Sequence, residues 1–236
     1  MRPGENKLEP QDDTRDPKMK AAMAKKLTKV RARRYIGPAE VLALTNFFAV
    51  PKGLTDIRMV YDGTRSGLNH RVWVPSFTLP TLDSLLRCVD STTHMGDIDV
   101  GEMFLNFVLH LSLVALCGVD LTLYFPEDVP PGEKVLWEAW QRTGMGFKWS
   151  PYQAVQAMMV AEEVILGDRH DPDNVFRWDK VRLNLPGQKD YDPSLPWVSK
   201  VRREEDGTWV IAADCKTFVD DNRHAGPNEK DCWQAG

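Results

Sequence analysis

Phe218-Val219-Asp220-Asp221 places two adjacent carboxylates late in the chain, and Asp97-Ile98-Asp99-Val100 places further acids far upstream. Two adjacent carboxylates can hold a pair of divalent cations only if a third carboxylate faces them, and a strand-borne aspartate such as Asp99 can supply it. Two-metal phosphoryl transfer needs this oxygen-rich arrangement, with ions about 3.5–4 Å apart that activate the attacking oxygen and hold the leaving group. The two stretches therefore predict a fold that brings Asp99 next to the later acidic pair.

Length and composition allow one large domain or two small lobes with a hydrophobic core. The chain has 236 residues, 42% hydrophobic and 27% charged, as in ordinary soluble globular proteins. Its net charge of −4 gives no indication of nucleic-acid binding, but basic residues crowd into the segment 18–34. That segment fits either a basic arm on a phosphate backbone or a solvated, partly helical tail. Residues 1–34 as a whole are predicted to be disordered, ending in a short helical basic arm.

Neither the cysteines nor the longest apolar run indicates a metal site or a membrane protein. Cys88, Cys117, Cys215 and Cys232 match no zinc-binding spacing. Because no secretory leader precedes them, they are interpreted as reduced thiols of an intracellular protein of the cytoplasm or nucleus. The apolar run 104–119 is interrupted by polar residues and is shorter than the roughly 20 residues of a membrane span. It is predicted to be a buried helix, and no membrane partner is expected.

Local patterns divide the rest of the chain into short strands and helices. In the first half, the predicted elements are a helix at 39–45, a hairpin of strands 46–50 and 57–62 around a turn at 51–55, and a helix at 81–89. In the second half they are a strand at 95–100, a helix from 101, strands at 120–125 and 134–142, a helix at 152–166, and strands at 209–213 and 216–219. The helix at 152–166 follows Ser150-Pro151, which suits a helix start, and Gly167 ends it.

Five segments, taken in order, resemble the reverse transcriptases of retroviruses and retrotransposons. They are 48–52 with 57–69, then 77–86, 97–104, 146–151 and 218–221. Residues 97–104 are closely similar to the lentiviral LDVGDAYF, and residues 218–221 are a variant of the family's YxDD. The order and approximate spacing of the segments are more specific than any single one. The acidic pair Asp12-Asp13 of the same chain has no such context.

The resemblance covers roughly residues 35–226 and implies a fold of the α+β class. It implies a polymerase palm, an antiparallel sheet backed by helices, together with a strand-rich fingers subdomain and without a thumb. Residues 35–236 would then form the fingers and a partial palm, with 168–207 as a family-specific insertion. The implied activity is that of an RNA-directed DNA polymerase, a nucleotidyltransferase acting on an RNA or DNA template with a primer and dNTPs.

The resemblance also assigns the catalytic residues. Asp99, Asp220 and Asp221 would bind two Mg²⁺ ions, with Mn²⁺ as the alternative, and the ions would activate the primer 3′-hydroxyl. Asp97, two residues before Asp99 and on the same strand face, is either an alternative ligand or a solvated carboxylate. The interval from Asp99 to Phe104 reproduces that of the family and favours Asp99.

The remaining candidate residues would bind substrate. Lys52 and Arg58, on the two arms of the hairpin, would grip the incoming triphosphate. Phe104 would stack beneath the sugar and leave no space for a 2′-hydroxyl, so deoxynucleotides are expected; its alternative is a core phenylalanine. Lys148 would reach the template or a phosphate, and Gly146 would let the backbone approach the nascent base pair.

The position of the acidic pair near the end of the chain limits what the sequence can hold. The chain stops at Gly236, which leaves no room for a thumb, a primer grip or a ribonuclease H region, and a truncated retroelement copy is expected. The alternative is a non-catalytic palm-fold relic that binds nucleic acid weakly. A third reading, an unrelated aspartate-dependent phosphotransferase, does not explain the order of the five segments. The sequence carries no indication of the oligomeric state.

Overall fold

The structure, a computed structural model, describes residues 11, 16–54, 56–86, 89, 91–174, 176–177, 181–194 and 200–236. The chain divides into two compact units. Unit 1 comprises Met1–Pro75 and Glu102–Gln153, and unit 2 comprises Ser76–Gly101 and Ala154–Gly236. The helices are α1 (Pro17–Ala32), α2 (Leu68–Arg71), α3 (Leu82–Leu86), α4 (Leu111–Val114), α5 (Ser150–Leu166) and α6 (Glu229–Gln234).

All the sheets of the described residues are antiparallel, which agrees with the α+β class expected from the sequence. The strands are β1 (Ile36–Gly37), β2 (Phe47–Lys52), β3 (Asp56–Tyr61), β4 (His94–Asp99), β5 (Gly118–Asp120), β6 (Trp137–Trp140), β7 (Val181–Leu183), β8 (Lys200–Arg203), β9 (Trp209–Ile211), β10 (Asp214–Phe218) and β11 (Asp221–Gly226). Unit 1 holds the hairpin β2-β3 and a sheet of order β1-β6-β5. Unit 2 holds sheets of order β10-β11-β4 and β7-β8-β9.

Helix α1 belongs to the core of unit 1, whereas the sequence predicted a short helical basic arm at the end of residues 1–34. The side chain of Asp16 caps the helix by accepting a backbone N–H of the first turn. Met23, Leu27 and Val30 recur at helical spacing and are buried in the hydrophobic core of the unit. Their burial explains why the segment folds. Most residues before Asp16 lie outside the described part of the chain.

Several basic residues of this region are engaged by acids of unit 1. Arg31 donates to Glu138 through Nη2 at 2.8 Å and to Asp128 through Nη1 at 2.6 Å. These hydrogen bonds, the one to Glu138 first, raise the pKa of Arg31. Arg33 pairs with Glu102. Part of the positive charge of the basic segment 18–34 is therefore neutralised within the unit.

Two predicted helices of unit 1 are wrong. Residues 39–45 form no helix, and the Thr45 N–H donates to the Gly118 carbonyl at 2.7 Å, so this backbone pairs with a distant segment rather than with itself. The buried helix predicted at 104–119 is replaced by a short 3₁₀ turn, by α4 and by β5. The polar residues that interrupt this run bond to nearby backbone: the Asn106 side chain donates to the Met103 carbonyl, and His110 caps α4.

The strands predicted at 95–100, 209–213 and 216–219 are present in unit 2 as β4, β9 and β10. In unit 1, β6 lies within the predicted strand 134–142, whereas the strand predicted at 120–125 is wrong, because β5 ends at Asp120. Helix α5 begins at Ser150 in unit 1, runs to Leu166 in unit 2 and is followed by Gly167, with φ +65°. The predicted insertion 168–207 supplies β7 and β8, which pair with β9 in one sheet; residues 175, 178–180 and 195–199 of it lie outside the described part. The helix predicted at 81–89 is present as α3, and residues 87, 88 and 90 are not among those described.

Candidate active site

Strands β4 and β11 bring Asp99 and Asp221 directly opposite each other in unit 2. The antiparallel register pairs these two residues, and it pairs Asp221 with Phe218 of β10 on the other side. The amide of Val100 donates to the carbonyl of Asp220 at 3.0 Å, so the hydrogen bond between the strands joins the residues next to Asp99 and Asp221. Asp99 and Asp221 thus form a non-hydrogen-bonded pair, the position at which facing side chains come closer.

Asp220 lies in the turn that joins β10 to β11. The turn has two residues, Val219 and Asp220, and is closed by Phe218 and Asp221. Val219, the first of the two turn residues, has a φ of +61°. A positive φ at the first turn residue but not at the second is characteristic of a type II′ turn, which prefers glycine at that position. A β-branched residue in this left-handed region is an outlier. Asp220 thus follows a strained residue, and its carbonyl accepts the Val100 N–H.

One face of this sheet is charged and exposed. Opposite and alternating residues of an antiparallel sheet share a face, and the register therefore puts Asp97, Asp99, Asp221 and Arg223 together. All four are exposed. They line a cleft of about 480 Å³ with Lys216 of β10 and residues around α3, all within unit 2. A cleft of this size can admit a small anionic ligand or part of a larger one.

Asp97 forms an ion pair with Arg223. Arg223 donates to Asp97 through Nε to Oδ1 at 2.5 Å and through Nη2 to Oδ2 at 3.0 Å, a bidentate pair across β4 and β11. The hydrogen bond from Arg223 lowers the pKa of Asp97, and the same pair, with a smaller contribution from Asp221, raises the pKa of Arg223. Asp97 is therefore a solvent-exposed carboxylate whose two oxygens both accept hydrogen bonds from Arg223.

Lys216, the second cationic residue that lines the cleft, pairs with a buried carboxylate. Its Nζ lies 2.7 Å from Oδ2 of Asp214, and Nζ of Lys200 lies 2.7 Å from Oδ1. Burial raises the pKa of Asp214, but the two lysines outweigh this effect and bring the pKa below its ordinary value. These pairs anchor β10 to β8 beneath the charged face.

The opposite face of the sheet is buried and fixes the register. His224 is 1% exposed, and its partner in the register, Gly96, has no side chain; a Cβ there would lie 2.3 Å from the imidazole Nε2. Asn222, also buried, donates to the Thr217 hydroxyl at 3.2 Å. Helix α6 packs on β4 and β11. A slip by one residue would expose the imidazole and bury the acids, so packing specifies the pairing of Asp99 with Asp221.

The donor set at this face suits a hard divalent cation. Mg²⁺ prefers oxygen ligands, keeps several waters and is usually held by one or two carboxylates plus phosphates of the substrate. Asp99 and Asp221 provide two facing carboxylates, and Asp220 is the residue before Asp221, in the turn. In the part of the chain that the structure describes, no three acid, histidine or cysteine side chains converge closely enough to enclose an ion by themselves. The chemistry therefore fits Mg²⁺ bound with water and substrate oxygens.

Lys52 and Arg58 lie on one outward face of the β2-β3 hairpin in unit 1. The register pairs Lys52 with Asp56 and Val50 with Arg58, so the two cations share a face, and both are exposed. The hairpin matches the predicted one closely. Phe47 faces Tyr61 on the buried side.

Gly146 and Lys148 form part of a loop held against β3 and α2 in unit 1. A Cβ on Gly146, whose φ is +106°, would lie 1.8 Å from the carbonyl oxygen of Tyr61. Packing against β3 therefore accounts for the glycine. Asn69 accepts the backbone N–H of Lys148 at 2.9 Å and donates to the Gly146 carbonyl at 2.8 Å, and the Lys148 Nζ donates to the Val72 carbonyl at 3.4 Å.

Phe104 follows Asp99 closely in sequence but belongs to unit 1. It lies half-buried in the 3₁₀ turn Met103–Asn106, after Glu102, which has a φ of +54°. Lys29 and Arg33 of unit 1 pair with Glu102 and hold the start of this turn. Phe104 thus belongs to unit 1, and this 3₁₀ turn replaces the helix expected from Gly101.

Comparisons with known proteins add no family assignment. The sequence matches no model of a known protein family, and no curated protein is significantly similar to it. No helix in the described ranges has both the length and the apolar character that crossing a membrane requires. The three cysteines described, Cys117, Cys215 and Cys232, are free thiols and buried.

Two contributors to the site were not foreseen from the sequence: Arg223 and Lys216. Arg223 stands two residues after Asp221, as Asp97 stands two residues before Asp99. Because alternate strand residues share a face, this spacing could have indicated the ion pair once β4 and β11 were taken as neighbours. Lys216 carries no comparable signal, since its partner Asp214 is recognisable only from burial.

Proposed function

We propose that this chain is a template-directed nucleotidyltransferase of the reverse transcriptase type, which adds dNTPs to the 3′-hydroxyl of a primer. The observation that supports the proposal most strongly is the register in which Asp221 faces Asp99 on an exposed sheet face. The two acids lie far apart in sequence, and the register that packing of the buried face specifies brings these like charges opposite each other. Two-metal phosphoryl transfer requires that arrangement of carboxylates.

In this proposal Asp99, Asp220 and Asp221 hold two Mg²⁺ ions, or Mn²⁺. When bound, the ions activate the primer hydroxyl and neutralise charge on the triphosphate. The protein's own part is to present carboxylates on a fixed sheet, with Asp220 tied through its carbonyl to Val100. The buried face, with His224 against Gly96, keeps the pair in register.

The substrate-binding roles belong to unit 1. Lys52 and Arg58, exposed on one face of the hairpin, are suited to phosphate oxygens, Arg58 through its planar fork and Lys52 as a compact charge. Phe104 provides the aromatic surface against which a deoxyribose stacks and which excludes a 2′-hydroxyl. Lys148 is a candidate contact for the template or a phosphate. Gly146 needs no role at a base pair, because its contact with Tyr61 explains it.

Primer extension on poly(rA)/oligo(dT) with Mg²⁺ or Mn²⁺ tests the proposal. Wild type should extend the primer, and Asp221→Asn and Asp99→Asn should each lower extension by about 100-fold or more, because each removes a metal-binding carboxylate. Asp173→Asn is the matched control: it removes an exposed carboxylate of unit 2 in a turn away from the sheet and should extend normally.

Two outcomes would contradict the proposal. The first is background extension by wild type with both cations, and the second is equal extension by wild type and Asp221→Asn. If wild type binds the primer–template in a filter assay at low salt but never extends it, the non-catalytic alternative replaces the enzymatic one.

A further inference from the structure

The exposed sheet face that carries Asp97, Asp99 and Asp221 also carries a cationic side chain, that of Arg223. We propose that Arg223 acts as a resident counter-ion that keeps Asp97 out of the metal-binding set and thereby limits the affinity of Asp99 and Asp221 for divalent cations. This inference rests on the proposed function, since it concerns how the same face binds its ions. It makes Arg223 a positioning residue rather than a catalytic one.

The geometry of the pair supports this role. Asp97 and Arg223 are direct partners in the register, one step along the strands from Asp99 and Asp221 on the same face. Both oxygens of Asp97 accept from Arg223, at 2.5 Å and 3.0 Å. An ion entering the face therefore meets a carboxylate that is already occupied. Bidentate guanidinium pairs hold their geometry better than single contacts, so Asp97 stays committed.

Without Arg223, the face would carry a third exposed carboxylate beside Asp99 and Asp221. Residues two apart on a strand stand about 7 Å apart, a distance that a coordinated water can bridge. Lys216 cannot replace the lost charge, because its Nζ is held 2.7 Å from the buried Asp214. Removal of Arg223 would therefore both release Asp97 and take a positive charge from the neighbourhood of the bound ions.

Mn²⁺ binding measured by electron paramagnetic resonance tests the proposal without relying on catalysis. In Arg223→Leu we expect Mn²⁺ to bind about 5- to 10-fold more tightly than in wild type, the effect of removing one positive charge about 7 Å from a divalent ion in a water-like dielectric. In Asp97→Asn we expect weaker binding, because Arg223 then keeps its charge with no partner to offset it. The double variant should return close to wild type.

The controls separate this role from a general charge effect. Arg203→Leu removes an exposed arginine of unit 2, whose guanidinium lies 5.9 Å from the Trp209 ring centroid, and should leave Mn²⁺ affinity unchanged. Arg223→Lys keeps the charge but loses the bidentate contact, and should fall between wild type and Arg223→Leu. Circular dichroism checks that each variant is folded, and Asp97→Asn tests the opposite direction if Arg223→Leu fails to fold.

Distinct results would overturn the two proposals. If wild type binds Mn²⁺ and Asp221→Asn does not, but Arg223→Leu binds no more tightly than wild type, the role of Arg223 is refuted and the proposed function stands. Unchanged or tighter binding by Asp97→Asn also refutes it. If Asp221→Asn leaves Mn²⁺ binding as it is in wild type, the metal site itself is refuted, and the role of Arg223 with it.

Discussion

Replacing Asp221 with asparagine removes one of two like charges that face each other across β4 and β11, and we expect the metal-free protein to become more stable. Cβ atoms of directly opposed residues lie about 4.5–5.5 Å apart, and carboxylates that turn away from each other stand roughly 6 Å apart. Asp99 and Asp221 are both exposed, so the dielectric constant is close to that of water. Coulomb's law then gives a repulsion of about 0.7 kcal/mol.

Arg223 works against this gain but does not cancel it. Its guanidinium attracts Asp221 from two residues along the strand, at about 7 Å, whereas Asp99 is directly opposite. The bidentate contact with Asp97 already offsets most of the charge of Arg223. The net effect of Asp221→Asn should therefore be a rise in the melting temperature of about 2 °C, since 1 kcal/mol corresponds to about 2–4 °C in a chain of this size.

Divalent cations should reverse the order of stability. At a concentration ten times its dissociation constant, a cation that binds only the folded state stabilises wild type by about 1.4 kcal/mol. Asp221→Asn lacks a ligand and should gain little. In thermal melts at constant ionic strength, Asp221→Asn should have the higher melting temperature in EDTA, and wild type should have the higher one in MgCl₂. Asp173→Asn should follow wild type in both. A variant less stable than wild type in EDTA, or equally stabilised by Mg²⁺, would refute the reasoning.

Three further substitutions test other parts of the structure. Gly146→Ala should lower the free energy of unfolding by more than about 3 kcal/mol, because its Cβ would lie 1.8 Å from the Tyr61 oxygen; Gly132→Ala, at φ +89° with open space around it, should cost only about 1–2 kcal/mol in urea melts. Phe104→Val should raise ribonucleotide incorporation relative to dNTPs about 10- to 200-fold in primer extension, and unchanged discrimination would leave Phe104 a core residue. Asp214→Asn should cost about 1.5–3 kcal/mol, since it removes the buried carboxylate that pairs with Nζ of Lys200 and of Lys216. Because the pKa of Asp214 lies below its ordinary 3.8, its contribution is complete above about pH 4 and is lost as the pH falls through the lowered pKa, so urea melts of wild type should show a steeper loss of stability on acidification than those of the variant.

The features that the sequence predicted well are those set by neighbouring residues. The hairpin β2-β3 follows from strand alternation around Pro51-Lys52-Gly53, and α5 follows from its start at Ser150-Pro151 and its end at Gly167. The strand carrying Asp99 was also expected close to its observed bounds, His94–Asp99. In each case the hydrophobic periodicity and the residues that begin or end an element act within a few residues, so no knowledge of the tertiary partner was needed.

The errors arose where the backbone or a side chain has a distant partner. Residues 39–45 were expected to be helical, but their backbone hydrogen bonds go to the segment around Gly118. Helix α1 was expected to belong to an arm, yet its apolar residues are buried in unit 1. The pair Asp97–Arg223 depends on the register of β4 with β11. Local pattern carries no information about such partners until the strand order is known.

The hairpin that carries the acidic pair combines three features that lower its stability. Val219 adopts a φ of +61°, which costs about 1–2 kcal/mol for a residue other than glycine; Asp221 faces Asp99; and Phe218 is 52% exposed. A glycine at the first turn position and a neutral partner for Asp99 would remove two of these costs. Strain and like-charge contacts persist in proteins chiefly where a site needs them. Their concentration at one turn, within a sheet whose other face is well buried, therefore favours a functional role for Asp99, Asp220 and Asp221 over a structural one.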